Sequence, residues 1–344
     1  MGVKYAPVLW NRQKKRYDVV MVAGVAAYLV VFIGLTLTFN AEITQETLLI
    51  RATGSLAITM LHVILVIGPL CRLNPYFLPL LYNRRHLGVT MFLIGAIHGG
   101  FSLMQFHALG NKNVLVSLFV SNTDYASLGQ FPFQTLGFLA LLILFLMAAT
   151  SHDFWLANLK PQVWKALHML VYVAYLLLVG HVVLGVVQND APLLVVGLFG
   201  VGMGTVIVLH LLAAMKEAKK DKQSLVPPTD AFVEVATLDE IPEGRAKVVN
   251  FGADRVALFK YDGKLSAVSN VCCHQNGPLG EGKVIDGLIT CPWHGYQYRP
   301  EDGCAPAPFT EKIATYQVKL VENKIYVDPR PKPDGTPVEP ARYA

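Results

Sequence analysis

The sequence predicts an all-α bundle of six transmembrane helices followed by a small all-β domain. The chain of 344 residues is 53% hydrophobic and only 15% charged, whereas soluble domains contain about 25% charged residues. Charged residues are scarce from Val19 to Met215 and ordinary from Lys216 onward. Beyond that point, short runs of alternating polar and apolar residues are separated by turn residues, a pattern typical of β-strands.

Six apolar segments are each long enough to cross a hydrocarbon core, which takes about 20 helical residues. They are Val19–Phe39, Ala52–Cys71, Leu87–Leu109, Phe131–Thr150, Ala166–Val187 and Ala191–Met215. The first segment follows a basic stretch and lacks the small-residue cleavage site of a secretory signal, so we expect it to be a retained span. Residues 1–215 are therefore predicted to form a membrane domain.

Lys and Arg residues are distributed unevenly between the segments that connect these spans. Fourteen lie on one side of the predicted bundle, and two, Arg51 and Lys112, lie on the other. The fourteen are found before the first span, in Arg72–Arg85, at Lys160 and Lys165, and in Lys216–Lys222. Because cytoplasmic loops are enriched in these residues, we expect a multi-pass protein of the inner (cytoplasmic) membrane with both termini in the cytoplasm. The net charge of +5 follows from this flanking charge and gives no indication of nucleic-acid binding.

The C-terminal third is predicted to contain a linker, a β domain and a tail. Residues 216–230 are charged and contain two prolines, which is typical of a linker. Residues 231–329 are predicted to form the β domain, with hairpin turns at YDGKL and VENKI. Residues 330–344 are rich in proline and are expected to be a loose tail.

Two pairs of cysteine and histidine residues lie in the predicted β domain, namely Cys272 with His274 and Cys291 with His294. The chain has five cysteines, and an odd number with most of them near histidines favours metal binding over disulfides. A structural zinc site is one interpretation, but zinc fingers usually keep their cysteines in one pair and their histidines in another. Here each pair supplies one thiolate and one imidazole, which suits a two-iron cluster with mixed ligands.

The motifs CCH and CPWHG that contain these residues resemble the two cluster-binding loops of the Rieske [2Fe–2S] family. The preceding DGKLSAVSN and the following GCAPAPF resemble that family's strand and Pro-rich covering loop. The resemblance implies that Cys272 and Cys291 bind one iron, and that His274 and His294 bind the other.

Two departures from the high-potential members of that family indicate a ferredoxin-type domain. Quinol-oxidising Rieske proteins carry an extra disulfide-forming cysteine where this chain has Trp293, and a serine where it has Tyr296. Fewer hydrogen bonds to the cluster sulfurs stabilise the reduced cluster less, which lowers its potential. The resemblance gives Cys273 and Cys304 no ligand role, and we expect them to be packing residues or nearby thiols.

Histidines are frequent in the predicted spans. They are His62, His98, His107, His168, His181 and His210, with His86 and His152 at the ends. Ionisable residues inside a membrane are functional candidates, although any one of them can simply form an interhelical hydrogen bond. His168 and His181 lie on one predicted helix about 20 Å apart along its axis, a spacing that suits one haem toward each leaflet.

Together with RRHLGVTMFLIGAIHGG around His98, these segments resemble the ferric reductase-like transmembrane family. Within it they are most similar to the haem-binding membrane subunit of the bacterial methionine sulfoxide-reducing system. The resemblance implies that His98 and His181 ligate one haem b and that His168 ligates a second one. The second ligand of the His168 haem is left open between His86, His62 and His210.

The two halves together predict a membrane-bound protein that passes single electrons between a cytoplasmic [2Fe–2S] cluster and two b-type haems in the bilayer. The expected partners are membrane lipid and a cytoplasmic electron donor or acceptor protein, with a membrane quinone or an external redox partner as further candidates. No set of acid, base and nucleophile residues is evident, so no enzymatic reaction is assigned. Two alternatives are a redox-sensing or assembly protein that has a cluster and no haem, and a metalloreductase that acts on ferric iron.

Overall fold

The computed structural model describes residues 12–152, 155, 159, 161–188, 193–222, 232–252, 254–274, 277–293, 295–307 and 309–343. The predicted ligand His294, residues 1–11 of the basic N-terminal segment and residues 223–230 of the predicted linker lie outside this part of the chain. The chain divides into two compact units, one made of helices and the other containing the β-strands.

Eight α-helices are present among the described residues. They are α1 (Arg12–Phe39), α2 (Gln45–Leu73), α3 (Arg84–His107), α4 (Val114–Val120), α5 (Phe133–Ala149), α6 (Pro161–Met169), α7 (Val171–Gln188) and α8 (Leu193–Lys222). A 3₁₀ segment, Pro75–Asn83, joins α2 to α3. These apolar sequences form long helices because a helix pairs all of its interior backbone N–H and C=O groups with each other, and lipid offers those groups no hydrogen-bond partners.

Five helical stretches of the described chain are long and apolar enough to cross a membrane, so the protein is a multi-pass membrane protein. The predicted count of six is not confirmed, because the fourth apolar segment forms only the 17-residue α5. At the rise of an α-helix, α5 is about 26 Å long, somewhat short of the hydrocarbon thickness of about 30 Å.

Two helix boundaries differ from those expected. The predicted continuous helix Ala166–Val187 is divided into α6 and α7 by a turn at Leu170. In an unbroken helix, His168 and His181 would be rotated by about 220° relative to each other, and the turn removes that constraint. At the other end of the domain, α8 continues through the first seven residues of the predicted linker, to Lys222.

The short helix α5 packs against both α3 and α7. Ala140 of α5 and Ala174 of α7 are fully buried, and such small residues let membrane helices approach closely. The helices that carry His98 and His181 are therefore both neighbours of α5.

The β domain contains eleven strands among the described residues. They are β1 (Val233–Thr237), β2 (Arg245–Phe251), β3 (Asp254–Tyr261), β4 (Lys264–Ser269), β5 (Lys283–Ile285), β6 (Leu288–Thr290), β7 (Gln297–Tyr298), β8 (Thr315–Tyr316), β9 (Val318–Val321), β10 (Lys324–Val327) and β11 (Ala341–Arg342). They form an antiparallel sheet of order β1–β10–β9, a second of order β11–β4–β3–β2 to which β8 adds, and a small β5–β6–β7 sheet. This architecture confirms the predicted small all-β domain.

Both predicted hairpins are confirmed. Tyr261 pairs with Lys264 across a turn in which Asp262 and Gly263 both have positive φ, the backbone that Asp-Gly favours. The VENKI turn likewise joins β9 to β10.

The expectation of a loose C-terminal tail is wrong. The tail ends in β11, which pairs with β4, and backbone N–H groups at Lys332, Gly335 and Val338 donate to carbonyls of the β domain. Proline lacks an N–H, but the residues between the prolines keep theirs, and here these donors find acceptors on the domain surface. The tail is therefore part of the β domain.

Candidate cluster and haem sites

The two cysteines predicted to bind iron lie at the ends of short strands in the β domain. Cys272 follows β4 and Cys291 follows β6, and only 1% and 2% of their surfaces are exposed. The Cys272 amide donates to the carbonyl of Gly277 (2.9 Å), and the Cys291 amide donates to the carbonyl of Tyr296 (2.7 Å). Each loop is thus closed on itself by a backbone hydrogen bond beside its cysteine.

Gly277 brings the first loop against the second. A Cβ atom at this position would lie 2.7 Å from the Cys291 sulfur and 3.2 Å from the Trp293 ring. Only glycine permits this approach, so the chain is built to hold the two cysteine-bearing loops in direct contact.

The imidazole of His274 is held by an aromatic stack. Its ring lies parallel to that of Tyr296, with centroids 4.6 Å apart, and its Nδ1 atom is buried. The Tyr296 hydroxyl donates to the Glu311 carboxylate. Tyr296 therefore orients the histidine with its ring while its hydroxyl is engaged elsewhere.

Tyr298 is a site residue that the sequence analysis missed. Its hydroxyl lies 3.4 Å from the Cys272 sulfur, and the side chain is fully buried. Burial first, and then the nearby Cys272 sulfur, raise the pKa of Tyr298 well above its usual range, so the hydroxyl keeps its proton and can donate to sulfur. A signal for it in the sequence is its position two residues after Tyr296, because residues two apart in an extended chain face the same side, and the two rings are in contact, with centroids 5.4 Å apart.

The remaining cysteines of the domain have separate environments. The Cys273 residue is exposed, but its thiol donates to the Lys312 carbonyl at 3.0 Å, and partial desolvation is the main cause that raises the pKa of this thiol. Cys304 lies in a β-bridge with Lys312. None of the chain's five cysteines, all of which are described, forms a disulfide.

This donor set fits a [2Fe–2S] group held by mixed ligands. It comprises two buried thiols on touching loops and the half-buried imidazole of His274, whose Nδ1 atom is buried. Within the described chain, no three His, Cys, Asp or Glu side chains converge as a single-ion site requires. A two-iron cluster with two protein ligands on each iron does not need such convergence.

In the helical unit, the structure brings His98 of α3 and His181 of α7 together. Their ring centroids are 6.1 Å apart and their planes are nearly perpendicular, at 80°. Two metal–imidazole bonds of about 2 Å each, plus about 1 Å from each nitrogen to its ring centre, add up to about 6 Å. The spacing therefore fits one metal ion between the two rings.

The backbone fixes the tautomer of both rings. The Nδ1 atom of His98 lies 3.0 Å from the Ile50 carbonyl oxygen, and Nδ1 of His181 lies 2.9 Å from that of Phe133. Because a carbonyl can only accept, each Nδ1 must carry the hydrogen, and Nε2 of the neutral ring then has the lone pair. Metal-binding histidines usually show this arrangement.

His168 is not paired with another histidine within the part of the chain that the structure describes. Its Nδ1 lies 3.0 Å from the Trp164 carbonyl, its ring stacks on that indole, and its Nε2 is 3.4 Å from the Ser151 hydroxyl.

Each of the three histidines considered as its partner contacts a different group. The contacts are His86 with Asp18, His62 with Tyr175, and His210 with Tyr172. The assignment of His168 as the ligand of a second haem stays a prediction.

Comparisons with known proteins match each unit to a separate family. Residues 231–317 match the Rieske [2Fe–2S] domain, and residues 53–179 match the ferric reductase like transmembrane component. The second match includes His98 and His168 and ends two residues before His181.

The relatives of the β domain include ferredoxins. The 3-phenylpropionate/cinnamic acid dioxygenase ferredoxin subunit of Photorhabdus laumondii is 36% identical over 27% of this chain and 90% of its own length. The naphthalene 1,2-dioxygenase system ferredoxin component of Pseudomonas aeruginosa is 31% identical over 29% of this chain and 97% of its own length. A solved ferredoxin of carbazole 1,9a-dioxygenase from Nocardioides aromaticivorans IC177 is 26% identical over 29% of this chain and 100% of its own, with a TM-score of 0.28.

Proposed function

Because the chain belongs to the Rieske [2Fe–2S] domain family and carries a ferric reductase like transmembrane component, we propose that it passes single electrons between a cytoplasmic Rieske cluster and b-type haem inside the bilayer. The two families together make the chain a membrane redox protein of electron transfer.

The observation that carries the proposal is the pair of imidazoles on α3 and α7. Their centroid spacing of 6.1 Å suits two axial ligands of one iron, and each Nδ1 is bonded to a backbone carbonyl so that Nε2 is left for a metal. A protein that used its membrane helices only for sensing or assembly would have no need for two rings at this spacing with matching tautomers.

In the β domain, Cys272, His274, Cys291 and His294 are the proposed cluster ligands. A [2Fe–2S] cluster and a haem, when bound, each supply one-electron redox chemistry. The protein's own residues hold the two thiols in a buried place, orient the His274 ring by stacking and offer the Tyr298 hydroxyl to the Cys272 sulfur. Burial of the thiols keeps water from the donor atoms.

The side of the membrane and the partners follow from charge and from the relatives. The excess of Lys and Arg in the segments assigned to one side supports a cytoplasmic β domain. Ferredoxin relatives named for dioxygenase systems support a soluble redox protein as one partner. A membrane quinone or an external redox partner would then exchange electrons at the other end of the bundle, and His168 is the proposed ligand of a second haem.

Visible and EPR spectra of the purified full chain, oxidised and reduced with dithionite, test the proposal. We expect the bands of a low-spin b haem together with the rhombic signal of a mixed-ligand [2Fe–2S] centre. His98→Ala and His181→Ala should each remove the same haem and leave the cluster signal intact. His107→Ala is the matched control, because His107 is a buried histidine of the same helix α3 whose ring bonds to Ser117 and Gln134.

Three outcomes would contradict parts of the proposal. A protein that contains the iron–sulfur signal but no haem would favour the sensing or assembly alternative. If protein made with ample iron contains stoichiometric zinc and no iron, the assignment of a [2Fe–2S] cluster is wrong. If the haem is retained in His98→Ala, the pairing of His98 with His181 is wrong.

A further inference from the structure

The surroundings of His98 and His181 repeat each other closely. Each ring donates from Nδ1 to a carbonyl on a neighbouring helix, and in both cases 48 residues separate the acceptor from the histidine. Ile50 of α2 serves His98, and Phe133 of α5 serves His181. The two halves of the site are thus built from the same local pattern, used twice.

A glycine completes the pattern in each half. It stands four residues, or about one helical turn, after the acceptor carbonyl: Gly54 after Ile50, and Gly137 after Phe133. A Cβ atom at Gly54 would lie 2.7 Å from Nδ1 and 2.8 Å from Cε1 of His98. A Cβ atom at Gly137 would meet the same two atoms of His181 at the same two distances.

We infer that Gly54 and Gly137 are positioning residues of the proposed haem site, each forming with the carbonyl one turn earlier a seat that sets the height and plane of one axial imidazole. This inference rests on the proposed function, because it assigns the two rings to one iron. An added methyl group must push the ring away from the helix. That displacement breaks or lengthens the Nδ1–H···O=C bond. It also moves Nε2 of that ring away from the position in which it faces the other ring.

His62, a third histidine in the bundle, also packs against a glycine, and it shows that such a contact does not by itself position a ring. A Cβ atom at Gly202 of α8 would collide with the ring of His62. However, Nε2 of His62 lies 3.0 Å from the Tyr175 hydroxyl and its Nδ1 has no carbonyl partner among the described residues. Contact between a glycine and a histidine ring therefore occurs both with and without a carbonyl that accepts from Nδ1. Gly202→Ala is a control, because it adds a methyl group against a histidine ring as Gly54→Ala and Gly137→Ala do.

The experiment uses the full chain with the variants Gly54→Ala and Gly137→Ala. We expect each to weaken haemin binding by the apoprotein about 10- to 100-fold, as loss of a partner behind a metal-binding histidine typically does. In the haem that remains bound, the low-spin EPR signal should move, because its anisotropy depends on the angle between the two imidazole planes. The cluster EPR signal of the same sample measures the amount of folded protein, and its intensity should not change.

Three substitutions serve as controls and should leave the affinity and the EPR signal of this haem unchanged. In Gly88→Ala, on the same helix as His98, and Gly34→Ala, on α1, the new Cβ meets no described atom within 4 Å. In Gly202→Ala, the methyl group is pressed against His62 and not against either ring of the pair.

The outcomes distinguish this inference from the proposed function. If the parent protein binds the haem and both Gly54→Ala and Gly137→Ala keep its affinity and EPR signal, the seats are not required and the inference is wrong. If the parent binds no haem, the proposed function fails as well. Should Gly54→Ala aggregate, the double variant Gly54→Ala/His98→Ala removes the ring and must restore monodisperse protein, and failure to do so would also overturn the inference.

Discussion

Removing the Tyr298 hydroxyl by Tyr298→Phe should lower the reduction potential of the iron–sulfur cluster. The hydroxyl lies 3.4 Å from the Cys272 sulfur, and its raised pKa keeps the proton available for donation. A hydrogen bond to sulfur stabilises the reduced cluster more than the oxidised one, because the reduced cluster carries more negative charge. Its loss therefore disfavours reduction.

The size of the shift follows from the free energy of one hydrogen bond. A single bond of this kind contributes about 0.5–1.5 kcal/mol. For a one-electron couple, a tenfold change in the equilibrium constant corresponds to about 59 mV and about 1.4 kcal/mol. The expected decrease is therefore about 20–60 mV.

A redox titration of the full chain, followed by the cluster EPR signal, measures this shift without interference from haem. Tyr316→Phe is the matched control: Tyr316 is as deeply buried, but it belongs to the other core cluster, around β1, β9 and β10, away from the cysteine loops. The control should keep the parent potential. An unchanged or raised potential in Tyr298→Phe would refute the role given to this hydroxyl.

Three further predictions concern topology, the tail and the second haem. A reporter fused after Ala344 should be cytoplasmic and one inserted at Lys112 external, and an external signal after Ala344 would contradict six crossings. A chain that ends at Pro329 should lose about 2–6 kcal/mol of β-domain stability, since at least four backbone hydrogen bonds from the tail disappear at about 0.5–1.5 kcal/mol each; an unchanged temperature of cluster loss would speak against this. His168→Ala should lower the haem-to-cluster ratio measured by pyridine haemochrome, and an unchanged ratio would make His168 a packing residue.

Local signals in the sequence were sufficient for the hairpins and the cysteine loops of the β domain. An Asp-Gly turn requires positive φ at both residues, and Asp262 and Gly263 have it. The tail could not be predicted in the same way. The composition of the tail indicates only which local conformations the tail itself favours. Its ordered structure depends on acceptors elsewhere in the sequence, such as the Glu301 carbonyl, which accepts a hydrogen bond from the Val338 amide.

The relative positions of His98 and His181 could not be predicted from hydropathy either. Hydropathy predicts that the third span begins at Leu87 and that the fifth, Ala166–Val187, is continuous. The structure begins α3 at Arg84 and interrupts the fifth span at Leu170, and both shifts change the depth and direction of the rings. Boundaries of this kind depend on packing between helices, which hydropathy does not report.

The carbonyl seats also determine how far the proposed haem is from water. Phe133 is the first residue of α5, and Ile50 lies in the second turn of α2, so both acceptors are near the helix starts. On their own helices, His98 and His181 also lie somewhat nearer the C-terminal end than the N-terminal end. A haem held by the two rings would thus be nearer to one end of the bundle than to the other. Its shorter path to water would run to that end, and an electron arriving from the opposite end would have the longer distance to cross.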